Sequence, residues 1–161
     1  MILFLDYDGV MHPDPCREAW RLFENAPRLA QALDAFPEVG IVMSTSWRNR
    51  RPVPELLAPL PEPLSRRVIG LTPNFGEFAV EPQLVPYRRH AECLRWLEMH
   101  RLADAEWVAL DDRPAWFVPY CENLITCHPA VGFDEVIRAR LSSRLTRSRM
   151  KMHDAIDVVL A

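Results

Sequence analysis

Apolar residues come in short bursts along this chain, and the bursts alternate between continuous runs and helical spacing. Met1 to Leu5 is one such run, halted at Asp6, which predicts a buried strand over residues 2–6. After a broken stretch through His12, Pro13 and Pro15, Pro27 suits the first residue of a helix reaching about Phe36, because its fixed φ is already helical. Leu29, Ala30, Leu33 and Phe36 then keep helical spacing. A second strand is predicted over 39–44. Five prolines between Arg51 and Pro63 forbid a long helix or a central strand there, so about 48–86 reads as a proline-rich, loop-rich excursion with a short strand from Arg67 to Leu71. A helix over 87–100 would turn Ala91, Leu94 and Leu97 inward, two more strands are predicted at 106–110 and 123–127, and about 133–161 reads as a C-terminal helical segment.

Short strands joined through helices predict an α/β fold, a doubly wound, Rossmann-like parallel sheet flanked by helices with right-handed crossovers. The 161 residues fit a single domain, and 49% apolar content is enough for a core. Ligands of such sheets bind beyond the carboxyl ends of the strands, where Asp6, Ser44 and Asp111 would emerge together.

Charge and cysteine content narrow the class. A net charge of −3 argues against a surface built wholly for nucleic acid. The opening apolar run lacks a basic leader, and no later run is long enough for a bilayer, so a cytoplasmic protein is expected, with no membrane partner and no obligate protein partner. Cys16, Cys93, Cys121 and Cys127 show no CxxC spacing, which favours reduced thiols over zinc, with Cys93 in a helix core. Trp20, Trp96, Trp107 and Trp116 sit beside apolar periods and read as packing residues. The histidines lack ligand spacing, although His12 lies where it could line a pocket.

Candidate chemistry concentrates at Asp6-Tyr7-Asp8-Gly9. On an extended backbone Asp6 and Asp8 point into the same space while Tyr7 points away. Two carboxylates so close are tolerated when a cation sits between them or when one holds a proton, so the pair marks a metal or acid/base site. Asp and Gly also simply end strands and open turns.

The order of four segments resolves the choice. Asp6-Tyr7-Asp8-Gly9-Val10 resembles the first motif of the haloacid dehalogenase (HAD) superfamily of phosphohydrolases. The run Val39 to Ser44, continuing Thr45-Ser46-Trp47-Arg48, resembles the second, with Ser44 preferred as its hydroxyl residue and Thr45 second. Arg89, in the segment Arg88 to Leu97 at the start of the helix over 87–100, takes the third position, where the family usually has Lys; Arg88 is the alternative. Trp107-Val108-Ala109-Leu110-Asp111-Asp112 resembles the acidic fourth motif. The "SxSWR" and "LDD" segments also look like the HAD phosphatase group found in RNA-repair proteins.

The resemblance implies a Mg²⁺-dependent phosphomonoesterase. Asp6 would be the nucleophile, forming an aspartyl-phosphate, and Asp8 the acid and then the base. Ser44 or Thr45, Arg89 and the nearby Arg48 would hold the phosphate. Asp6, Asp111, Asp112 and Asp8, the last through its carbonyl, would hold the metal. Asp8 separates this chain from the dehalogenase branch, which lacks an acid there. Neither interval that could carry a cap domain has room for a large one, so a cap-less enzyme with an open site is expected, acting on a phosphorylated small molecule or a nucleic-acid end.

A function of another class comes from the tail. Arg138, Arg140, Arg144, Arg147, Arg149 and Lys151 accumulate with no acidic residue between Glu135 and Asp154, as in a nucleic-acid end-processing or RNA-binding module. The same segment also reads as a helix that buries Leu141, Leu145, Met152, Ile156 and Val159 and turns its cations to water.

Overall fold

The opening run forms strand β1 (Ile2–Leu5), the centre of a five-stranded parallel sheet in the computed structural model, which describes residues 1–160 and their side chains as far as Lys151. The other strands are β2 (Gly40–Met43), β3 (Val68–Leu71), β4 (Trp107–Asp111) and β5 (Leu124–Thr126), giving the order β3-β2-β1-β4-β5. The helices are α1 (Ala26–Leu33), α2 (Val53–Leu57), α3 (Glu62–Ser65), α4 (Arg88–Met99) and α5 (Glu135–Leu160). Chain order reverses direction at β1, which pairs with β2 on one side and β4 on the other. That reversal opens a crevice at the carboxyl ends of the central strands.

Strand alternation divides the core into two layers. Leu3, Leu5, Ile41, Met43, Val108 and Leu110 pack on Leu29 and Leu33 of α1, Leu56 of α2, Leu64 of α3, and Leu141 and Leu145 of α5. Ile2, Phe4, Val42, Trp107 and Ala109 pack on Cys93, Trp96 and Leu97 of α4. Phe4 is central to this second layer, with Trp96 and Trp107 set edge-on to its ring at 5.9 and 5.5 Å. Each fully buried Leu or Phe contributes about 1.5–3 kcal/mol, so β1, apolar and buried on both faces, anchors the sheet.

Helix α1 stops at Leu33, short of the expected Phe36, and Pro27 is its second residue. The N–H groups of Asp34 and Phe36 bond back three residues to Gln31 and Leu33, which tightens the last turn before Pro37 blocks continuation. The proline-rich excursion holds two short helices, α2 and α3, with prolines at their starts, and then edge strand β3. Leu141 and Leu145 of the expected C-terminal stripe are buried; Met152, Ile156 and Val159 lie outside the described side chains. Trp96 and Trp107 pack as expected. Trp20 does not, being 77% exposed, and Trp116 is half-buried at the crevice rim. Among the described residues no helix is long and apolar enough to cross a membrane.

Candidate active site

The sheet register brings the motif residues side by side. Leu5 lies opposite both Met43 and Leu110, and the ladder runs one residue further: the Ser44 N–H donates to the Leu5 carbonyl at 2.9 Å and the Asp6 N–H to the Leu110 carbonyl at 3.1 Å. By alternation Asp6 follows Phe4, Ser44 follows Val42 and Asp111 follows Ala109, all on the face that α4 covers. Arg89, in the first turn of α4, caps the same face. Asp6, Ser44, Asp111 and Arg89 are all buried.

Arg89 bridges the carboxylates. Its Nη2 is 3.6 Å from Asp6 Oδ2 and its Nε is 3.5 Å from Asp111 Oδ2, and Asp112 brings a third carboxylate beside these two. Burial works against the Arg89 charge, but Asp6, Asp111 and Glu92 outweigh it and raise its proton affinity. The carboxylates are less well compensated. Burial first, and the Asp6 charge second, push Asp111 up to about 8 and Asp112 up to about 6. Gly9 is required by this crowding, because at φ +66° it leaves room for Asp112, whose Cγ would lie 2.5 Å from an added Cβ.

Asp6, Asp111 and Asp112 each offer a carboxylate oxygen, and the three oxygens lie within 4.8 Å of one another. Asp111 Oδ2 and Asp112 Oδ1 are buried with no hydrogen-bond partner, and so is Arg89 Nη1. Were all three carboxylates ionised, the one guanidinium would leave two negative charges in excess, and Asp111 and Asp112 hold their protons more tightly for that reason. A hard divalent cation on oxygen ligands suits both the orphaned acceptors and the charge, and the orphaned donor suits an anion.

Asp8 sits apart at the mouth, half-exposed and tightly held. The Trp47 indole N–H donates to both carboxylate oxygens, at 3.1 and 2.9 Å, and His12 Nε2 lies 3.1 Å from Oδ1. Burial would raise the Asp8 carboxyl; the hydrogen bonds from His12 and Trp47 reverse this and hold it below the ordinary carboxylate range. His12 is itself buried, packed between Phe23 and Trp47. It therefore contacts the acid directly instead of lining a pocket. The Trp47 contact to Asp8 was not legible in sequence, because it depends on the loops after β1 and β2 meeting; the His12 contact is local, four residues on, and depends on how the loop after Asp8 folds back.

Three expected contacts take different places. All five N–H groups of Arg48 are spent within the protein, on the carbonyls of Ser44, Thr45, Thr72 and Pro73 and on Glu92 Oε2 at 2.8 Å. Arg48 thus locks the loop after β2 and has no donor left for the phosphate expected of it. The Thr45 hydroxyl accepts from the Trp47 N–H and caps the turn Ser46–Asn49. Arg88 is exposed and stacks 3.5 Å over the Trp116 ring, so Arg89 is the cation among the carboxylates. Glu92, not singled out in the sequence, ties Arg48 to Arg89 (3.8 Å) and accepts from the Phe75 N–H. Its signal was available, since a residue three after Arg89 on a helix shares its face.

A central parallel sheet, an acidic pair after its first strand, a buried cation from α4 and an acidic pair after β4 define a phosphohydrolase of the HAD superfamily. The family model for the HAD domain in Swiss Army Knife RNA repair proteins matches residues 2–136, and the chain belongs to that family. Neither a curated protein nor a solved structure matches it.

Proposed function

We propose that the chain is a Mg²⁺-dependent phosphomonoesterase that works through an aspartyl-phosphate on Asp6. The observation that carries this reading is the buried Asp6–Arg89–Asp111 cluster with its orphaned acceptors and donor. Asp6, Asp111, Asp112 and the Asp8 carbonyl would hold the metal, which when bound neutralises charge on the phosphate and on the carboxylates around it.

Ser44 and the free Nη1 of Arg89 would hold the phosphoryl oxygens, leaving Asp6 free to attack phosphorus. A new bond forms from the Asp6 carboxylate to phosphorus as the bond to the leaving oxygen breaks, and Asp8 gives that oxygen its proton. In the resting site Asp8 is held as a carboxylate, but a phosphate beside it raises its proton affinity, so the acid form arises with substrate. Asp8 then takes a proton from water, which attacks phosphorus and returns Asp6 with release of phosphate. Trp47 and His12 fix the orientation of Asp8 in both halves.

Membership of a family of RNA-repair HAD domains supports a phosphorylated nucleic-acid end over a small metabolite as the substrate. The alternative module built on the basic tail gains no support, since much of that charge is spent on the protein itself. The test is hydrolysis of para-nitrophenyl phosphate by wild type and Asp6→Asn, with Mg²⁺ and with EDTA. Turnover that needs Mg²⁺ and vanishes in Asp6→Asn is expected; turnover that survives either change overturns the mechanism.

A further inference from the structure

The leaving group of a phosphate ester must lie beside the residue that protonates it, and Asp8 opens into only part of the crevice. Two grooves meet at Ser46 and Asn49. One, lined by Arg89, Arg88, Phe75 and Trp116, does not include Asp8. The other, of about 270 Å³, is lined by Asp8, Ser46, Trp47, Asn49, Arg50 and Arg51. It is the leaving-group side of the site, and beyond Asp8 every charged group in its lining is a cation. Arg50 and Arg51 are both exposed, and the Arg51 guanidinium lies 4.5 Å over the Trp47 ring, on the indole that holds Asp8.

The groove continues, through Trp47 and Arg51, into a wider hollow of about 650 Å³ walled mostly by apolar groups, Leu22, Phe23, Trp47, Ala58 and Pro59, with the exposed Glu55 and Arg51 as its charged members. Two guanidiniums followed by an aromatic and aliphatic hollow match a leaving group with a second phosphate next to a flat, stackable ring. A phosphorylated sugar lacks the flat ring, and a phosphorylated amino acid lacks the second phosphate.

We propose that this groove binds the terminal nucleotide of a single-stranded nucleic acid, with Arg50 and Arg51 on the phosphodiester next to the scissile terminal phosphate and the base in the hollow beyond Trp47. The assignment rests on the phosphatase reading for its direction, since Asp8 marks the leaving-group side. It makes Arg50 and Arg51 specificity residues, placed to select strands over free monophosphates without touching the reacting atoms.

Phosphate release is compared for a terminally phosphorylated trinucleotide, a nucleoside bisphosphate and a nucleoside monophosphate. Wild type is expected to prefer the trinucleotide over the monophosphate at least tenfold in kcat/KM, with the bisphosphate between them. In Arg50→Gln/Arg51→Gln the preference should fall at least tenfold, mainly through KM, and Arg50→Lys/Arg51→Lys should keep most of it. A wild type without the preference, or a Gln variant that retains it, overturns the proposal; a bisphosphate that equals the trinucleotide overturns the strand in favour of a free nucleotide. Failure of wild type to release phosphate from any of them would instead defeat the phosphatase reading. Fluorescence anisotropy of the labelled trinucleotide would then decide the groove alone: binding at least tenfold weaker in the Gln variant supports it, and equal binding overturns it.

Discussion

Arginine is concentrated in two regions of this molecule, the crevice at the carboxyl ends of the strands and helix α5, and it does different things in each. In the crevice Arg89 is buried among carboxylates at 3.5 to 3.6 Å with one nitrogen unpartnered. On α5 the partners lie at the surface: Arg138 pairs with Glu135 one turn away, Arg149 with the exposed Glu38, and Lys151 with the half-buried Glu106. Glu38 and Glu106 precede β2 and β4, so the far part of α5 lies at the amino ends of the strands, the opposite end of the sheet from Asp6. A guanidinium in water beside a carboxylate is screened and contributes little, whereas one desolvated among several acids is held and expectant of a ligand. Counting arginines treats these regions alike; the partners separate them.

The sharpest way to break this contrast is to remove the buried cation. Arg89→Ala takes away the charge between Asp6 and Asp111, and kcat/KM should fall by about 10²–10³, the usual cost of one charge-stabilising donor. Arg89→Lys should recover part of the loss, because the family usually has lysine there, but not all of it, since an ammonium cannot span two carboxylates as the planar fork does. Steady-state kinetics with para-nitrophenyl phosphate measures both. Equal activity in all three proteins would remove Arg89 from the phosphate site.

Next in size is Glu92→Gln, which leaves Arg48 and Arg89 short of a buried counter-charge. A loss of roughly 3 kcal/mol in unfolding free energy is expected in urea titrations, as for a buried pair stripped of one partner. The matched change on α5, Glu38→Gln, breaks an exposed pair with Arg149 and should cost less than about 1 kcal/mol. Similar losses at the two positions would mean that burial does not set the difference.

How much of this was legible beforehand follows the same division. The strands, α4 and the four motif segments could be read because each depends on local pattern: apolar runs that stop at Asp6, Ser44 and Asp111, and helical spacing after Arg89. The fate of individual guanidiniums could not. Arg48 stood four residues after Ser44 and looked like a phosphate contact; its spending on four carbonyls and Glu92 depends on the turn at Thr72 and Pro73, far along the chain. Trp47 was likewise visible as a residue but not as a support of Asp8, since their meeting is set by tertiary structure, and His12, four residues after Asp8, depends on a loop conformation that no periodic pattern encodes. Trp116 was read as packing because apolar neighbours surround it, yet it is a rim residue under Arg88.

A smaller effect separates the carboxylates of the crevice from those paired on the surface. Asp111 and Asp112 titrate above the ordinary carboxylate range, to about 8 and about 6, because of burial and of Asp6. A group whose folded pKa is raised binds its proton more tightly folded than unfolded, so the metal-free protein should lose stability as pH rises from about 4 toward 8. Divalent cation relieves that penalty only where the carboxylates are ionised. The rise in Tm on adding Mg²⁺ should therefore be larger at pH 8 than at pH 5, by a few degrees, at about 2–4 °C per kcal/mol for a domain of this size. Glu38, held below the usual range against slight burial by its own backbone N–H and then by Arg149, takes no part in this shift, so Glu38→Gln should show the same Mg²⁺ and pH dependence as the wild type. A Mg²⁺ shift independent of pH would separate the metal from these two carboxylates.

The smallest expected effect lies on α5 itself. Arg140 and Arg147 line a groove beside β5 with Glu122 and Arg144, away from the carboxylate crevice, and Arg144 donates to Asn123. If α5 is a packing helix whose cations face water, Arg140→Gln/Arg147→Gln should change neither the turnover of para-nitrophenyl phosphate nor the affinity for a phosphorylated trinucleotide by more than about twofold, the range of ordinary surface substitutions. Removing two phosphate contacts would instead lower the slope of log K against log salt by about 1.4 for a single strand. A slope change of that size would turn α5 into a second nucleic-acid surface and put its arginines on the same footing as those of the crevice; an unchanged slope would leave the strand to the groove beside Asp8.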